Sequence, residues 1–247
     1  MLFRSLAAPA ALGCSGPDVL LTRCLGKQFD AYLRQYRFDD YGLRTELCPA
    51  FTSIGTWLKH LQQITLSAAL LPASKARFED LVLRAEHDLT ALQNKKLGKR
   101  DIRCISALLK DTAHTEDQAA LRTVTHHGDF WPGNVFIADA QIEVIDFEGT
   151  GIGTPYADAA YFLLHAELFF TFPFVIGRFP SLATAFFRGY EGSEQPVDSL
   201  GYQVCQAAIA LHLLRRHFED PDPSHRLSFR HRWLLIKRAK GQTPWHP

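Results

Sequence analysis

Two polar loops set among short β-rich runs in the middle of the chain restrict the fold more than any other feature. The runs NVFIA and QIEVID are separated by a turn signal at Ala138–Asp139, so they predict a β-hairpin. The polar stretch HHGDFWPGN (126–134) precedes the hairpin, and VIDFEG (144–149) closes it. A polar group without a partner is costly beside buried strands. We therefore expect a rigid hairpin that presents two functional loops.

Three oxygen-bearing side chains on these loops are expected to converge. Asp129 and Asn134 share the first loop, and Asp146 follows the second strand of the hairpin. Two carboxylates and an amide carbonyl are hard ligands, which suit Mg²⁺ and suit zinc poorly. The spacing H-x-D-x-x-x-x-N followed by a strand-borne Asp is the arrangement that phosphoryl transfer uses.

Helical patterns dominate on both sides of the hairpin. PDVLLTRCLG (17–26) predicts a strand that ends at Gly26, and KQFDAYLRQY predicts a short amphipathic helix. Spacing from Ile54 to Ile64 predicts a helix with its N-cap at Phe51–Ser53, and a second helix is expected from about Ala73 to Leu92. A basic connection, NKKLGKRDIR, and a helical ISALLK come next, and after the hairpin follow the helices DAAYFLLHAELFF, LATAFFRGY, GYQVCQAAIALHLLRRHF and SFRHRWLLIKRAK.

The segments HGDFWPGNVF, VIDFEG and GTPYADAAYFL resemble the aminoglycoside phosphotransferase and choline kinase family, a branch of the protein-kinase-like fold. The resemblance is close over 127–163 and looser from about Pro17 onward, where IGTWLKHLQQIT is similar to a helix of the family. It implies an α+β fold with a mostly helical C-lobe, a small β-hairpin that carries the catalytic and metal loops, and a reduced N-lobe. Residues 1–26 would be a remnant of the nucleotide-side lobe with its hinge strand, and 27–247 the helical lobe.

The resemblance implies an ATP-dependent transfer of the γ-phosphate to a small-molecule hydroxyl. Asp129 would be the catalytic base or the carboxylate that orients the acceptor, and His127 would brace the loop. Asn134 and Asp146 would be the magnesium ligands. These assignments are what the family motif implies at the matching positions of this chain.

Further roles follow from the same resemblance. Asp158, in GTPYADAAY, would open a helix and tie the catalytic loop in place, although it could equally be a simple N-cap. Glu148, two residues after Asp146, would point the same way from an extended segment and reach a second metal or its water. The hinge would place backbone groups against the adenine, at Thr22, Arg23, Cys24 and Leu25.

The chain departs from the family near its beginning. Kinase-like folds use a Gly-rich hairpin over the phosphates, a strand Lys and a helix Glu. LGCSG (12–16) is too short to be a phosphate loop, Lys27 follows the hinge, and Arg23 is a possible substitute for the phosphate Lys. Loss of such groups commonly costs about 10² to 10³ in rate. The alternative to an active kinase is therefore a truncated, catalytically impaired binding module on the same scaffold.

Other interpretations of the polar loops remain open. Asp, Gly, Pro and Asn are also common turn formers, so the motif could be structural alone. His126 and His127 beside Asp129 could indicate a transition-metal site, although no third imidazole or Cys stands at ligand spacing. Phe130 and Trp131 are expected to pack, with Trp131 lining the acceptor site as the alternative.

Composition indicates a soluble globular protein, and its net charge indicates no particular partner. Lys and Arg number 27 against 26 Asp and Glu, so no nucleic-acid partner is expected, and no apolar run is long enough for a membrane span. The start, MLFRSLAAPAALGCSG, resembles a signal peptide, but its apolar run is short and contains Pro9. Five cysteines without CxxC spacing are expected to be reduced thiols in a cytoplasmic protein. Nothing in the sequence indicates the oligomeric state.

The acceptor is expected to be a sugar, an amino alcohol or an aminoglycoside, and its charge stays open. Acidic residues that could bind a cationic acceptor are Glu167, Glu191, Glu194, Asp198, Glu219, Asp220 and Asp222. The last 24 residues hold six Lys or Arg and no Asp or Glu, which suits an anionic or neutral acceptor at least as well. The alternative for this basic end is a solvated helix with Leu234, Leu235 and Ile236 on the core.

Overall fold

The structure is a computed structural model. It describes residues 11–14, 20–22, 26–64, 78–93, 97–111, 123–138, 141–171, 176–196, 199–219 and 227–243. Several sequence expectations fall outside these ranges: the start of a helix at Ala73, the hinge residues Arg23, Cys24 and Leu25, and three of the acidic residues, Asp198, Asp220 and Asp222.

Three small antiparallel sheets contain the described strands. Strands β1 (Ala11–Cys14) and β2 (Leu20–Thr22) pair with each other, and β3 (Lys27–Gln28), β5 (Val135–Ala138) and β6 (Gln141–Val144) form a sheet in the order β3-β5-β6. The register pairs Ala138 with Gln141, so the predicted hairpin is confirmed. Strand β4 (Val124–His126) pairs with β7 (Gly151–Gly153). The sequence did not predict β7, because its two glycines carry no strand signal.

Helices make up most of the described chain. They are α1 (Phe29–Tyr36), α2 (Asp40–Gly42), a π-helical turn (Leu43–Leu47), α3 (Cys48–Gln63), α4 (Phe78–Leu92), α5 (Lys99–Asp111), α6 (Tyr156–Leu168), α7 (Phe179–Tyr190), α8 (Ser199–Glu219) and α9 (Phe229–Ala239). In the part of the chain described, no helix combines the length and apolarity that a membrane crossing requires.

Two helix starts differ from the expectations. The predicted N-cap at Phe51–Ser53 is wrong, because α3 begins at Cys48 and continues directly from the π-helical turn, with Pro49 in its first turn. The basic connection ends sooner than expected, because α5 begins at Lys99. Both errors come from charged or small residues that favour a helix terminus locally but are carried inside a helix that packs on its neighbours.

An aromatic core lies beneath the hairpin. Phe162 of α6 contacts Phe29, Phe51 and Phe186, with ring centroids between 5.5 and 5.8 Å apart. Helix α3 packs along α7, and the hydroxyl of Thr52 donates to the Ala185 carbonyl at 3.0 Å. The helical body is therefore joined through one continuous core, and the hairpin loops sit on it.

Candidate active site

The first polar loop is anchored by Phe130. This side chain is fully buried, stacks on Trp57 with ring centroids 5.6 Å apart, and contacts Phe162 at 5.3 Å. The expectation that Phe130 packs is confirmed. Because a buried aromatic in the middle of the loop fixes its backbone, the polar residues on either side of Phe130 are held in place as well.

Asp129 and Asn134 contact each other directly. The Asn134 amide nitrogen donates to the Asp129 backbone oxygen and to Asp129 Oδ2, both at 3.0 Å. Asn134 is buried and Asp129 is half-buried. With the nitrogen committed to Asp129, Oδ1 is the Asn134 atom that can coordinate a cation.

His127 connects the two polar loops through both ring nitrogens. Its Nδ1 accepts from the Asp129 N–H at 3.3 Å, which leaves Nε2 to carry the proton and donate to the Ile145 carbonyl at 3.0 Å. Burial lowers the pKa of His127, against the raising effects of Asp158 and other nearby acceptors. The ring is therefore neutral and braces the loop, as the resemblance implies.

Asp158 ties the catalytic loop to helix α6. Its carboxylate accepts from the backbone N–H groups of His127 at 2.7 Å and Gly128 at 3.1 Å. Burial would raise the pKa of Asp158, but His126 and the His127 N–H outweigh it and hold that pKa below its usual value. Asp158 lies inside the first turn of α6 and Pro155 is the N-cap, so the loop-tying role is confirmed and the N-cap interpretation is wrong.

The two polar loops are also joined by their backbones. Gly128 has φ 89°, and a Cβ at this position would lie 2.1 Å from the Gly149 oxygen, so only glycine fits. The Ile145 N–H donates to the Asn134 carbonyl at 3.0 Å. Residues that belong to different motifs in the sequence therefore form one surface.

Asp146 lies at the point where the second loop leaves β6. Its φ of 65° and ψ of 63° make it the one described non-glycine residue with a positive φ. Such backbone conformations concentrate at functional sites, because the surrounding structure has to hold them. Asp146 is exposed, and its charge acts on His127 together with that of Asp129. Asp129 and Asn134 thus contact each other, and the charge of Asp146 acts on the His127 ring that joins the two loops.

The donor chemistry of this group fits a hard cation. Asp129 and Asp146 offer carboxylate oxygens and Asn134 an amide oxygen, which suit magnesium. Over the described ranges, no group of three or more His, Cys, Asp or Glu is arranged to hold a metal. His127 is committed to the loop, and His126 lies 3.5 Å from the Asp158 carboxylate. These contacts argue against the transition-metal alternative.

Glu148 lies on a 3-10 turn, Phe147–Gly149, and not on an extended segment. The expectation that Glu148 points the same way as Asp146 assumed an extended segment, and that assumption is wrong. Side chains two residues apart share a face in a strand but not in a turn. The side chain is exposed and lines the cavity beside the catalytic loop.

A cavity of about 750 Å³ opens along the catalytic loop. Its near wall consists of the loops at His126–Gly128 and Glu148–Gly151 and the start of α6, and its far wall consists of α4 and α8. The volume lies in the usual range for small-molecule sites. Gly128, the residue before Asp129, lines the cavity, so the cavity offers room for a small molecule next to the catalytic loop.

Tyr161 and His165 were not expected from the sequence. Burial and the charge of the nearby Asp129 carboxylate raise the pKa of Tyr161. Burial lowers the pKa of His165 to about 4, although Asp129 opposes this shift. The signal available in the sequence was spacing: both residues follow Asp158 on one side of α6, at i+3 and i+7.

Trp131 packs beside the catalytic loop. Its ring lies 6.1 Å from that of His165, and a Cβ on Gly133 would come within 2.3 Å of the indole. Trp131 is not among the described residues that line the cavity. These contacts support the expectation that Trp131 packs, and not the alternative that it lines the acceptor site.

The expected nucleotide side is described only in part. Thr22 ends β2, and Gly26 lies so close to β5 that a Cβ would be 2.0 Å from the Ile137 oxygen. The Gln28 amide donates to the Gly133 carbonyl at 2.5 Å. The chain that follows the predicted hinge is therefore attached directly to the catalytic hairpin.

Four of the acidic residues expected to bind a cationic acceptor are described, and each of them is engaged within the protein, with Glu219 paired to Arg215 at 2.8 Å. Glu167 is buried and pairs with Arg238 at 2.8 Å, and Glu194 pairs with Arg188 at 2.9 Å. Glu191 accepts from the Tyr156 hydroxyl at 2.7 Å. In α9, Leu234 and Leu235 are buried and Ile236 is partly buried. The basic end is thus a helix with its apolar side chains on the core, which agrees with the alternative that its charged side chains are solvated.

Comparison with known proteins gives one sequence match. The model of the phosphotransferase enzyme family (APH) matches residues 44–200. A comparison with curated protein sequences finds no match.

Solved structures of similar fold are kinases at low sequence identity. A choline/ethanolamine kinase family protein from Mesorhizobium loti is 18% identical over 95% of this chain and 72% of its own, with a TM-score of 0.58. A glucosamine kinase is 15% identical over 90% and 58%, with a TM-score of 0.61. Amicoumacin kinase hAmiN, in complex with AMP-PNP, Ca²⁺ and Ami, is 14% identical over 92% and 65%, with a TM-score of 0.54. The protein-kinase-like α+β fold is confirmed, and this chain spans 58% to 72% of the length of these structures.

Proposed function

Because the chain belongs to the phosphotransferase enzyme family, whose model matches residues 44–200, we propose that it is an ATP-dependent kinase that phosphorylates a small-molecule hydroxyl. The observation that carries the proposal is the contact of Asp129 with Asn134 at 3.0 Å, next to a cavity of about 750 Å³. A carboxylate held in one orientation beside a small-molecule cavity is what transfer to a bound hydroxyl requires.

Asp129 is the proposed acceptor-orienting group. The hydroxyl would lie in the cavity with its hydrogen toward the Asp129 carboxylate, and its oxygen would attack the γ-phosphorus. The new O–P bond forms as the bond to the bridging oxygen of ADP breaks, and the proton passes to Asp129. Asn134 holds the carboxylate by a hydrogen bond, so its orientation does not depend on the substrate.

Asn134 and Asp146 are the proposed magnesium ligands, and Glu148 is a further candidate. Bound Mg²⁺ would neutralise charge on the nucleotide phosphates. Their amide and carboxylate oxygens match that cation, and the left-handed backbone at Asp146 gives its side chain a fixed direction. His127 is proposed as a positioning residue that maintains the spacing of the two loops.

The nucleotide would bind on the side of residues 1–26, which we propose as the nucleotide-side segment, against the helical lobe of 27–247. The backbone from Thr22 to Leu25 is the proposed adenine contact, and Arg23 is a candidate phosphate contact. We also propose a cytoplasmic location. The described cysteines Cys48, Cys104 and Cys205 are free thiols, as a reducing compartment requires.

Nucleotide binding and transfer can be tested separately. With ATP and Mg²⁺ in excess, thermal denaturation of the wild-type protein should shift upward, and the shift should be lost in Asp146→Ala. ADP release with sugars, amino alcohols and aminoglycosides tests transfer, and Asp129→Asn should abolish it. Stabilisation without transfer to any acceptor would identify a non-catalytic binding module, and no stabilisation at millimolar ATP would refute nucleotide use.

A further inference from the structure

The far wall of the cavity is rich in basic side chains. Helix α4 contributes Arg84 and His87, and helix α8 contributes His212, Arg215 and Arg216. The same wall carries one carboxylate, Asp88. The near wall adds Asp158 and Glu148. The net charge that the cavity presents to a ligand therefore depends on which of these side chains already pair with other groups of the protein.

Asp88 is neutralised within the protein. Its carboxylate pairs with Arg215 at 2.8 Å and lies 3.7 Å from both His87 and His212. Burial would raise the pKa of Asp88, but His212 and Arg215 more than offset it, so the group stays ionised inside this cluster. A cationic ligand would have to displace Arg215 to reach it.

The near-wall carboxylates are equally unsuited to an amine. Asp158 is 2% exposed and accepts two backbone N–H groups of the catalytic loop. Glu148, two residues after Asp146, is a candidate metal ligand under the proposed function. Of the three described lining carboxylates, Asp88 and Asp158 are therefore engaged within the protein, and Glu148 has a proposed part in metal binding.

Arg216, in contrast to these carboxylates, is available to a ligand. It is exposed, lines the cavity, and within the described part of the chain has no ion pair with a carboxylate. Its charge acts on Tyr161 and His165, the same two rings on which Asp129 acts with the opposite sign. Arg216 lines the same cavity as Tyr161 and Gly128, and Gly128 directly precedes Asp129 in the catalytic loop.

We propose that the acceptor is an anionic hydroxy compound whose carboxylate or phosphate binds Arg216 while its hydroxyl lies against Asp129. This inference rests on the proposed kinase function. A guanidinium binds either anion through two parallel hydrogen bonds, so both belong to the same ligand class. A cavity of about 750 Å³ accommodates a molecule of monosaccharide size.

Four hexoses that differ mainly in charge test the proposal: D-glucuronate, D-glucose 6-phosphate, D-glucose and D-glucosamine. Transfer is measured as ADP release with ATP and Mg²⁺, and binding of each sugar alone by calorimetry. At least one anionic sugar should have the highest kcat/KM of the four. Arg216→Gln should lower that value about tenfold or more, as expected for loss of a charged hydrogen bond, and should leave glucose within about twofold.

Arg103→Gln, which removes an exposed arginine from α5, is the matched control and should change nothing. Arg216→Glu should move the preference toward glucosamine. If no sugar is phosphorylated but an anionic sugar binds the wild-type protein and not Arg216→Gln, the anion site stands and the kinase function fails. The inference is overturned if glucose or glucosamine is preferred over both anions, if neither anion binds, or if Arg216→Gln behaves like wild type.

Discussion

The amide nitrogen of Asn134 binds Asp129 twice, once at the backbone oxygen and once at Oδ2, at 3.0 Å in each case. One short side chain thereby contacts both the backbone and the carboxylate of Asp129. The arrangement keeps Asn134 Oδ1 and the second Asp129 oxygen for other partners. Under the proposed function, a single amide would couple metal binding to acceptor orientation.

Replacement of Asn134 by alanine should lower kcat by about 10²-fold, because Asp129 loses its fixed orientation and the proposed metal loses a ligand. ADP release at saturating acceptor measures this. The control is Gln141→Ala, which removes an exposed amide from β6. Wild-type turnover in Asn134→Ala would contradict the assigned role.

Tyr161→Phe should lower kcat about tenfold and leave stabilisation by ATP and Mg²⁺ unchanged, because it removes a hydroxyl that lies near the charged Asp129 and removes no metal ligand. Steady-state kinetics and thermal denaturation with ATP and Mg²⁺ give the two readouts. Tyr41→Phe removes the hydroxyl of a tyrosine that is 77% exposed and should be silent. Equal losses of turnover and nucleotide binding would indicate a general structural effect instead.

Asp158→Asn should destabilise the fold by about 2 kcal/mol, because the amide nitrogen would face the N–H groups of His127 and Gly128. The folded-state pKa of Asp158 lies below the ordinary value of an aspartate, so its stabilising contribution is present above that ordinary value and is lost as pH falls through the folded pKa. Urea denaturation of both proteins across acidic pH should show a shallower acid loss in the variant. If the free energy of unfolding falls equally with pH in both proteins, Asp158 does not contribute to the pH dependence of stability.

His165 should make the protein less stable as pH falls from 6.5 to about 4, since the folded state resists protonation that the unfolded chain accepts. The loss reaches about 3 kcal/mol at the lower end and stops growing below it, because both states are then protonated. His165→Gln should flatten this part of the stability profile. The pKa of His127 is also lowered, so some slope will remain in the variant. A slope unchanged from wild type would contradict the assignment.

Local signals in the chain were sufficient for several features. The NVFIA and QIEVID alternation and the short turn between them predicted the β5-β6 hairpin, because strand pairing across a tight turn depends on neighbouring residues. Other elements lacked such signals. Strand β7 has the sequence GIG and exists because it pairs with β4, and the turn at Glu148 replaces an extended segment where the second loop meets Gly128.

By itself the sequence determined the helical body, the hairpin, and the polar residues Asp129, Asn134 and Asp146 on its loops. These depend on periodicity, turn chemistry and motif spacing, which act over short stretches of chain. Only the tertiary structure decided that α4 and α8 form the far wall of the cavity, that Arg215 neutralises Asp88, and that Arg216 acts on the same rings as Asp129. The charge in a cavity depends on which side chains are neighbours in space, and the packing of helices that are distant in sequence decides this.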